Sequence, residues 1–153
     1  MLLQRLNKND LPEIIAFNRR CFSPGDRWSG EDWTELLEDE RAHYYALLEN
    51  GQIVGNMFLY DWQGGRDFLK IMNLGVAPDR RGQGLACRLL QKAAEELKAS
   101  MLTRCCGETR ESNLAMRRVF ERCGYRLNKI EENYYENPAE SACKYVLRRE
   151  ELE

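Results

Sequence analysis

Three short stretches of this 153-residue chain carry residue types at spacings that could do chemistry. In Arg81-Gly82-Gln83-Gly84-Leu85-Ala86 two glycines stand just ahead of a segment with helical apolar spacing. Glycine lets a backbone turn tightly and approach a ligand closely. The helix start behind it offers unpaired N–H groups and the positive end of a dipole, a ready site for a pyrophosphate. Standing alone, such a loop is equally a plain strand-to-helix turn. It lacks the third glycine of a dinucleotide fingerprint, which would fall at Cys87, and the Gly-Lys-Ser/Thr ending of a nucleoside-triphosphate loop. Glu108-Thr109-Arg110-Glu111-Ser112-Asn113 sets a carboxylate at the end of a strand-like run, where it could accept a proton or simply face solvent. Asn133-Tyr134-Tyr135 brings two phenols in sequence, able to line a groove or to pack on the two faces of a strand.

Other chemistries find less support. The cysteines lie at 21, 87, 105, 106, 123 and 143, with no C-x-x-C pair, and His43 is the sole histidine. A zinc site is not expected from that set. The thiols read as reduced and mostly packed as small apolar groups, which places the chain in a cytosol. A formal net charge of -2 asks for neither nucleic acid nor an anionic membrane as partner. No run approaches ~20 apolar residues, and Met1–Leu6 turns polar too soon for a signal peptide.

The length suggests one domain over residues 1–153, large enough to fold without metal or disulfide. Leu2–Leu6 reads as a first strand. Leu11, Ile14, Ile15, Phe17 and Asn18 have helical spacing, with Pro12 suited to a first turn. Ser23-Pro24-Gly25-Asp26 breaks that helix, and Ser29 with Asp32 opens a second in capping-box spacing. His43–Leu48 and Gln52–Tyr60 form a hairpin about Asn50-Gly51, since both turn positions need positive φ. A turn at Gly64-Gly65 leads to a strand over Phe68–Val76, stopped by Pro78. Leu85, Ala86, Leu89, Leu90, Ala93, Ala94 and Leu97 mark a long amphipathic helix. Met101–Glu108 is then a strand, and Ser112 caps a helix burying Ala115, Met116, Val119, Phe120 and Cys123, which stops at Gly124. Tyr125–Tyr135 and Ala142–Leu147 close the chain as a hairpin about Asn137-Pro138. The expected class is α/β, a mixed and mostly antiparallel sheet with helices on both faces.

With these elements in place the ordered motifs resemble a family. Arg81–Ala86 is similar to the Q/R-x-x-G-x-G/A loop of the GNAT acetyltransferases, and Asn73-Leu74-Gly75-Val76-Ala77-Pro78 resembles the strand that leads into it. Within the family the resemblance is to the RimI-type N-terminal acetyltransferases. Trp28-Ser29-x-x-x-Trp33 resembles their entry to the second helix, Glu108–Asn113 their E-x-R-x-S-N, Cys123-Gly124-Tyr125 their L-G-F, and Asn133-Tyr134-Tyr135 their N-Y-Y.

The resemblance implies splayed central strands with the pantetheine arm of acetyl-CoA between them. Leu74, Gly75 and Val76 would meet that arm through their backbone, and Arg81, Gly82, Gln83, Gly84, Leu85 and Ala86 would hold the pyrophosphate. Asn113 would touch the same ligand, and Glu108 would accept the proton of the attacking amine. Trp28, Tyr134 and Tyr135 would line the acceptor groove, facing the Ser23–Trp28 loop. Phe120 departs from the pattern. The family carries a tyrosine there, proposed as the acid for the leaving thiolate; phenylalanine cannot do this but can still pack on the cofactor arm or in the core, and Tyr134 is a substitute acid. The implied acceptor is the α-amine of a protein N-terminus. Near pH 7 an α-amine of pKa about 8 costs roughly 1.4 kcal/mol to deprotonate and a lysine roughly 4.6, so a single carboxylate base suits the former. The alternatives are a small-molecule amine, a lysine side chain, or a non-catalytic acetyl-CoA-binding module, which Phe120 keeps open and Glu108 opposes.

Overall fold

A computed structural model describes residues 1–62 and 67–152, so the turn expected at Gly64-Gly65 lies outside the described residues. The strands are β1 (Leu2–Leu6), β2 (Ala42–Glu49), β3 (Gln52–Asp61), β4 (Phe68–Val76), β5 (Arg104–Arg110), β6 (Arg126–Tyr135) and β7 (Glu140–Arg148). The helices are α1 (Leu11–Cys21), α2 (Gly30–Glu38), α3 (Leu85–Ala99) and α4 (Leu114–Arg122). The sheet runs β1-β2-β3-β4-β5-β7-β6 and is antiparallel except at β4–β5. This is the mixed α/β architecture read from the sequence.

Local signals explain most of the boundaries. Asn50 and Gly51 both take positive φ, 51° and 77°, and turn β2 into β3. Ser29 and Asp32 form a reciprocal capping box that starts α2. Most strand ends differ from expectation by a residue or two, and two larger or functional differences have a visible cause. Asn113, and not Ser112, caps α4, its side chain accepting from the Met116 N–H. Ser112 N–H is instead taken by Glu140 Oε2 at 2.6 Å. The strand expected from Met101 begins at Arg104, because Ser100 Oγ binds Leu97 O and Leu102 N–H in a turn that closes α3. On α4, Phe120 is buried, Met116, Val119 and Cys123 are half-buried, and Ala115 is exposed.

Each face of the sheet carries its own core. Leu85, Leu89, Leu90, Ala93 and Leu97 of α3 and Phe120 of α4 pack on Met57, Leu59, Ile71 and Tyr145. On the other face Ile14, Phe17 and Trp33 of α1 and α2 pack on Tyr44, Ala46 and Phe58. The cysteines behave as apolar packing, with Cys105 and Cys143 buried and all six free among the described residues. Burial pushes the Cys105 thiol up to about 12, so it stays a protonated core side chain.

Candidate active site

The fold opens where the parallel pairing of β4 with β5 ends. β4 and β5 pair over Phe68–Lys70 and Arg104–Cys106, then separate. Beyond that point β4 continues through Met72 to Val76 bonded to β3 alone, and β5 continues through Glu108 bonded to β7 alone. The facing edges therefore leave backbone groups free to meet an inserted ligand. A cavity of about 1390 Å³ occupies the wedge, larger than the roughly 300–1,000 Å³ of drug-sized sites. Leu74, Gly75 and Val76 line it, as do Arg81, Gly82, Gly84, Leu85 and Ala86, whereas Gln83 is exposed outside the lining.

The loop end of the cavity is built for an anion. Gly82 and Gly84 hold φ of +80° and +79°, the left-handed region, and no atom lies within 4 Å of where a Cβ would stand on either. Gly84 is the N-cap of α3 and provides no side-chain cap, and the first turn holds no acidic residue. The orphan N–H groups of a helix start are thus presented to the cavity. Arg81 donates to Val76 O at 3.3 Å, tying the loop back to β4. Arg118 and Arg122, one turn apart on α4, add positive charge to the same rim. The sequence reading did not single them out; their four-residue spacing, on the helix that Asn113 starts, was the available signal. Phosphates fit this end, and the slot between β4 and β5 fits a thin arm with amides along it.

At the other end stands Glu108. Its Oε1 accepts from the Tyr134 hydroxyl at 2.7 Å and lies 3.1 Å from Lys70 Nζ. Its Oε2 is buried without a hydrogen-bond partner, with Lys144 Nζ 3.6 Å away. Burial, then the bond to Glu108, raises the Tyr134 phenol above its ordinary pKa. Asn133 has φ of 54° and sits in a bulge, where β6 spends the residues between Glu131 and Tyr135 against the shorter run Glu140–Ala142 of β7. The bulge turns Tyr134 and Tyr135 toward the cavity they both line.

Arg110 closes this end. It binds both oxygens of Asp26 at 3.1 and 2.8 Å, Pro138 O at 2.8 Å and Glu136 O at 3.0 Å, and stacks on the Tyr135 ring. The loop after α1 is thereby fastened to the β6–β7 turn. The two approach so closely that a Cβ on Gly25 would lie 2.5 Å from Asn137 O. Trp28 lines the cavity while packing on Trp33 and Phe58, with centroids 4.6 and 5.7 Å apart. Asn113 lines it too, combined with its capping role. Phe120 borders it but is 1% exposed, stacked on Tyr145 at 5.0 Å and pressed on Gly107.

A splayed β4–β5 pair, a glycine-shaped anion cradle and a carboxylate across the cleft describe an acyl-transfer fold, and the comparisons agree. Residues 11–125 match the acetyltransferase (GNAT) family, and the chain belongs to that family. It is an acetyl-CoA-dependent acyltransferase. A Bacillus subtilis protein assigned as a ribosomal-protein-bS18 alanine N-acetyltransferase is 31% identical over 92% of this chain and 90% of its own length. The crystal structure of the Escherichia coli ribosomal-protein-S18-alanine N-acetyltransferase superposes with a TM-score of 0.86 at 25% identity, covering 99% of this chain and 98% of that one. A chimeric spermidine N-acetyltransferase from Vibrio cholerae, at 15% identity and a TM-score of 0.80, covers 98% of this chain and 97% of its own; it shares the fold. Among the described residues no group of three or more His, Cys, Asp or Glu is placed to hold a metal ion, and no helix is long and apolar enough to cross a membrane.

Proposed function

We propose that the acceptor is a primary α-amine at a protein N-terminus, with Glu108 as the general base. The supporting observation is the setting of Glu108 in a walled cleft opposite the Leu74–Val76 edge, with Tyr134 on its carboxylate. Acetyl-CoA supplies an activated thioester acyl group, and the residues of this chain do the rest. The Arg81–Ala86 backbone binds phosphate, and the β4 edge orients the arm. An N–H of that edge steadies the carbonyl oxygen as charge grows on it, a service worth roughly 3 kcal/mol in an enclosed site. Glu108 is 15% exposed at its side chain, so the amine proton reaches it through the Tyr134 hydroxyl or one water. Tyr134 then acts chiefly to orient Glu108, because its raised pKa makes it a weak acid toward a thiolate. A thiol of pKa near 8.5 leaves without much help at neutral pH, which suits a protein with Phe120 in place of a tyrosine. Trp28, Tyr134 and Tyr135 line the acceptor end and Asn113 and Phe120 border the donor end.

The test is a panel. Peptides with free N-termini, the same peptides acetyl-capped and carrying one lysine, and polyamines are incubated with protein and acetyl-CoA and read by mass spectrometry. Acetylation of free N-termini in preference to the other two supports the proposal; turnover confined to lysine side chains or polyamines contradicts it.

A further inference from the structure

Ala115, Arg118, Val119 and Arg122 of α4 fall three or four positions apart, share one face of that helix, and all line the cavity. The C-terminus of α4 lies against the start of α3. There the Cys123 thiol meets that of Cys87, in the first turn of α3, and the charge of Arg122 acts on the same thiol. This face of α4 therefore borders the loop end, beside the cradle of Gly82 and Gly84. The other arginines at this end are engaged. Arg80 pairs with Glu49, Arg81 donates to Val76 O, and Arg117 donates to the Tyr145 hydroxyl and Glu111 O. Arg118 and Arg122 are exposed and make no hydrogen bond or ion pair among the described residues. Glu121, the carboxylate lining this end, accepts from the Tyr145 hydroxyl at 3.3 Å. With Arg80 neutralised by Glu49, Arg81, Arg118 and Arg122 stand against Glu121, and the rim stays positive.

We propose that Arg118 and Arg122 bind the ribose 3′-phosphate of coenzyme A and make the protein discriminate the full coenzyme from its 3′-dephospho form. The glycine cradle and the helix start suit the pyrophosphate. Coenzyme A carries a further phosphate, a monoester on the 3′ position of the ribose whose 5′ oxygen bears that pyrophosphate. Such a monoester holds roughly 1.5 to 2 negative charges near pH 7. It falls beside the cradle, because the slot between β4 and β5 takes the arm. Guanidinium forks match phosphate oxygens, and two of them one helical turn apart can share one dianion. The inference goes beyond the choice of acceptor and holds whichever amine is acetylated. If Arg118 only solvates the helix and Arg122 only complements its dipole, their loss would change the melting temperature and leave ligand preference alone.

Calorimetry compares coenzyme A with 3′-dephospho-coenzyme A on wild type, Arg118→Gln, Arg122→Gln and the double variant, and thermal melts report that each is folded. Wild type should bind coenzyme A at least about ten-fold more tightly than the dephospho form. Each single variant should cut that preference to about three-fold, and the double variant should bind both ligands alike. Affinity for the dephospho form should stay within about two-fold of wild type throughout. Raising the salt should shrink the wild-type preference, since the contact is exposed. Equal weakening of both ligands would place the arginines on the pyrophosphate and overturn the proposal. A preference kept in the folded double variant, or absent from wild type, overturns it too and leaves the reading of Glu108 and its acceptor untouched. Should the double variant fail to fold, the single variants carry the same test. A wild type that binds neither ligand overturns both this inference and the coenzyme A site.

Discussion

Arg110 and Asp26, 84 residues apart in sequence, meet in a two-pronged ion pair with N–O distances of 3.1 and 2.8 Å. The pair joins the two segments that wall the Glu108 end of the cavity, and the arginine's remaining donors hold the β6–β7 turn by its carbonyls. Charged hydrogen bonds contribute roughly 1.5–3 kcal/mol each. Asp26→Ala should therefore raise the acceptor KM by about ten-fold or more and leave coenzyme A affinity near wild type. Exchanging the two residues, Asp26→Arg with Arg110→Asp, should recover part of the loss. Steady-state kinetics with calorimetry checks this, and an unchanged KM in Asp26→Ala would mean that the clamp does not shape the groove.

Gly84 combines left-handed φ with open space over its Cα. Gly84→Val puts a branched side chain into that space and strains the backbone. Coenzyme A affinity should fall by at least about ten-fold, from an expected strain of roughly 1–3 kcal/mol. Calorimetry showing wild-type affinity would remove the loop from the phosphate site.

Phe120 is packed too tightly to act freely. Its ring stacks on Tyr145, and a Cβ on Gly107 would sit 2.7 Å from it. Phe120→Tyr should change turnover by no more than about three-fold if the thiolate leaves unaided at its usual pKa. A gain of an order of magnitude in coenzyme A release would show that the protein lacks an acid it needs.

Away from the cleft, Glu96 of α3 accepts from His43 at 3.0 Å and from the Tyr45 hydroxyl. Burial alone would raise its carboxyl pKa, but the bonds from His43 and Tyr45 outweigh it and the net shift is downward. The unfolded state thus binds this proton more readily than the fold does. The stabilisation is complete above the ordinary carboxylate pKa near 4.5 and is lost as pH falls through the lower folded value. Urea midpoints for wild type and Glu96→Gln should differ at pH 7, and the gap should narrow as the pH is lowered below 4.5. A gap of constant size across that range would refute the linkage.

Much of this was legible in the sequence because the signals were local. Asn50-Gly51, Ser29 with Asp32, and the glycines at 82 and 84 each specify their own backbone, and each appears as read. The motif Glu108–Asn113 marked the strand end that reaches the cavity. Lys70 and Lys144 were not legible, since which strand residues meet Glu108 depends on the register of two separate pairings. The Arg110–Asp26 clamp has the same origin, a contact between loops far apart in the chain. The cap of α4 was misplaced by one residue because Ser112 and Asn113 are both good caps, and Glu140 takes the Ser112 N–H.

The central claim is that Glu108 accepts the proton of the acceptor amine. Glu108→Gln keeps the shape of the side chain and its contact with Tyr134 while removing the base. Turnover of a peptide with a free N-terminus should fall by roughly 10²–10⁴, the usual contribution of a general base, with coenzyme A affinity nearly unchanged. A Glu108→Gln protein that acetylates the same peptide at the wild-type rate would contradict the account.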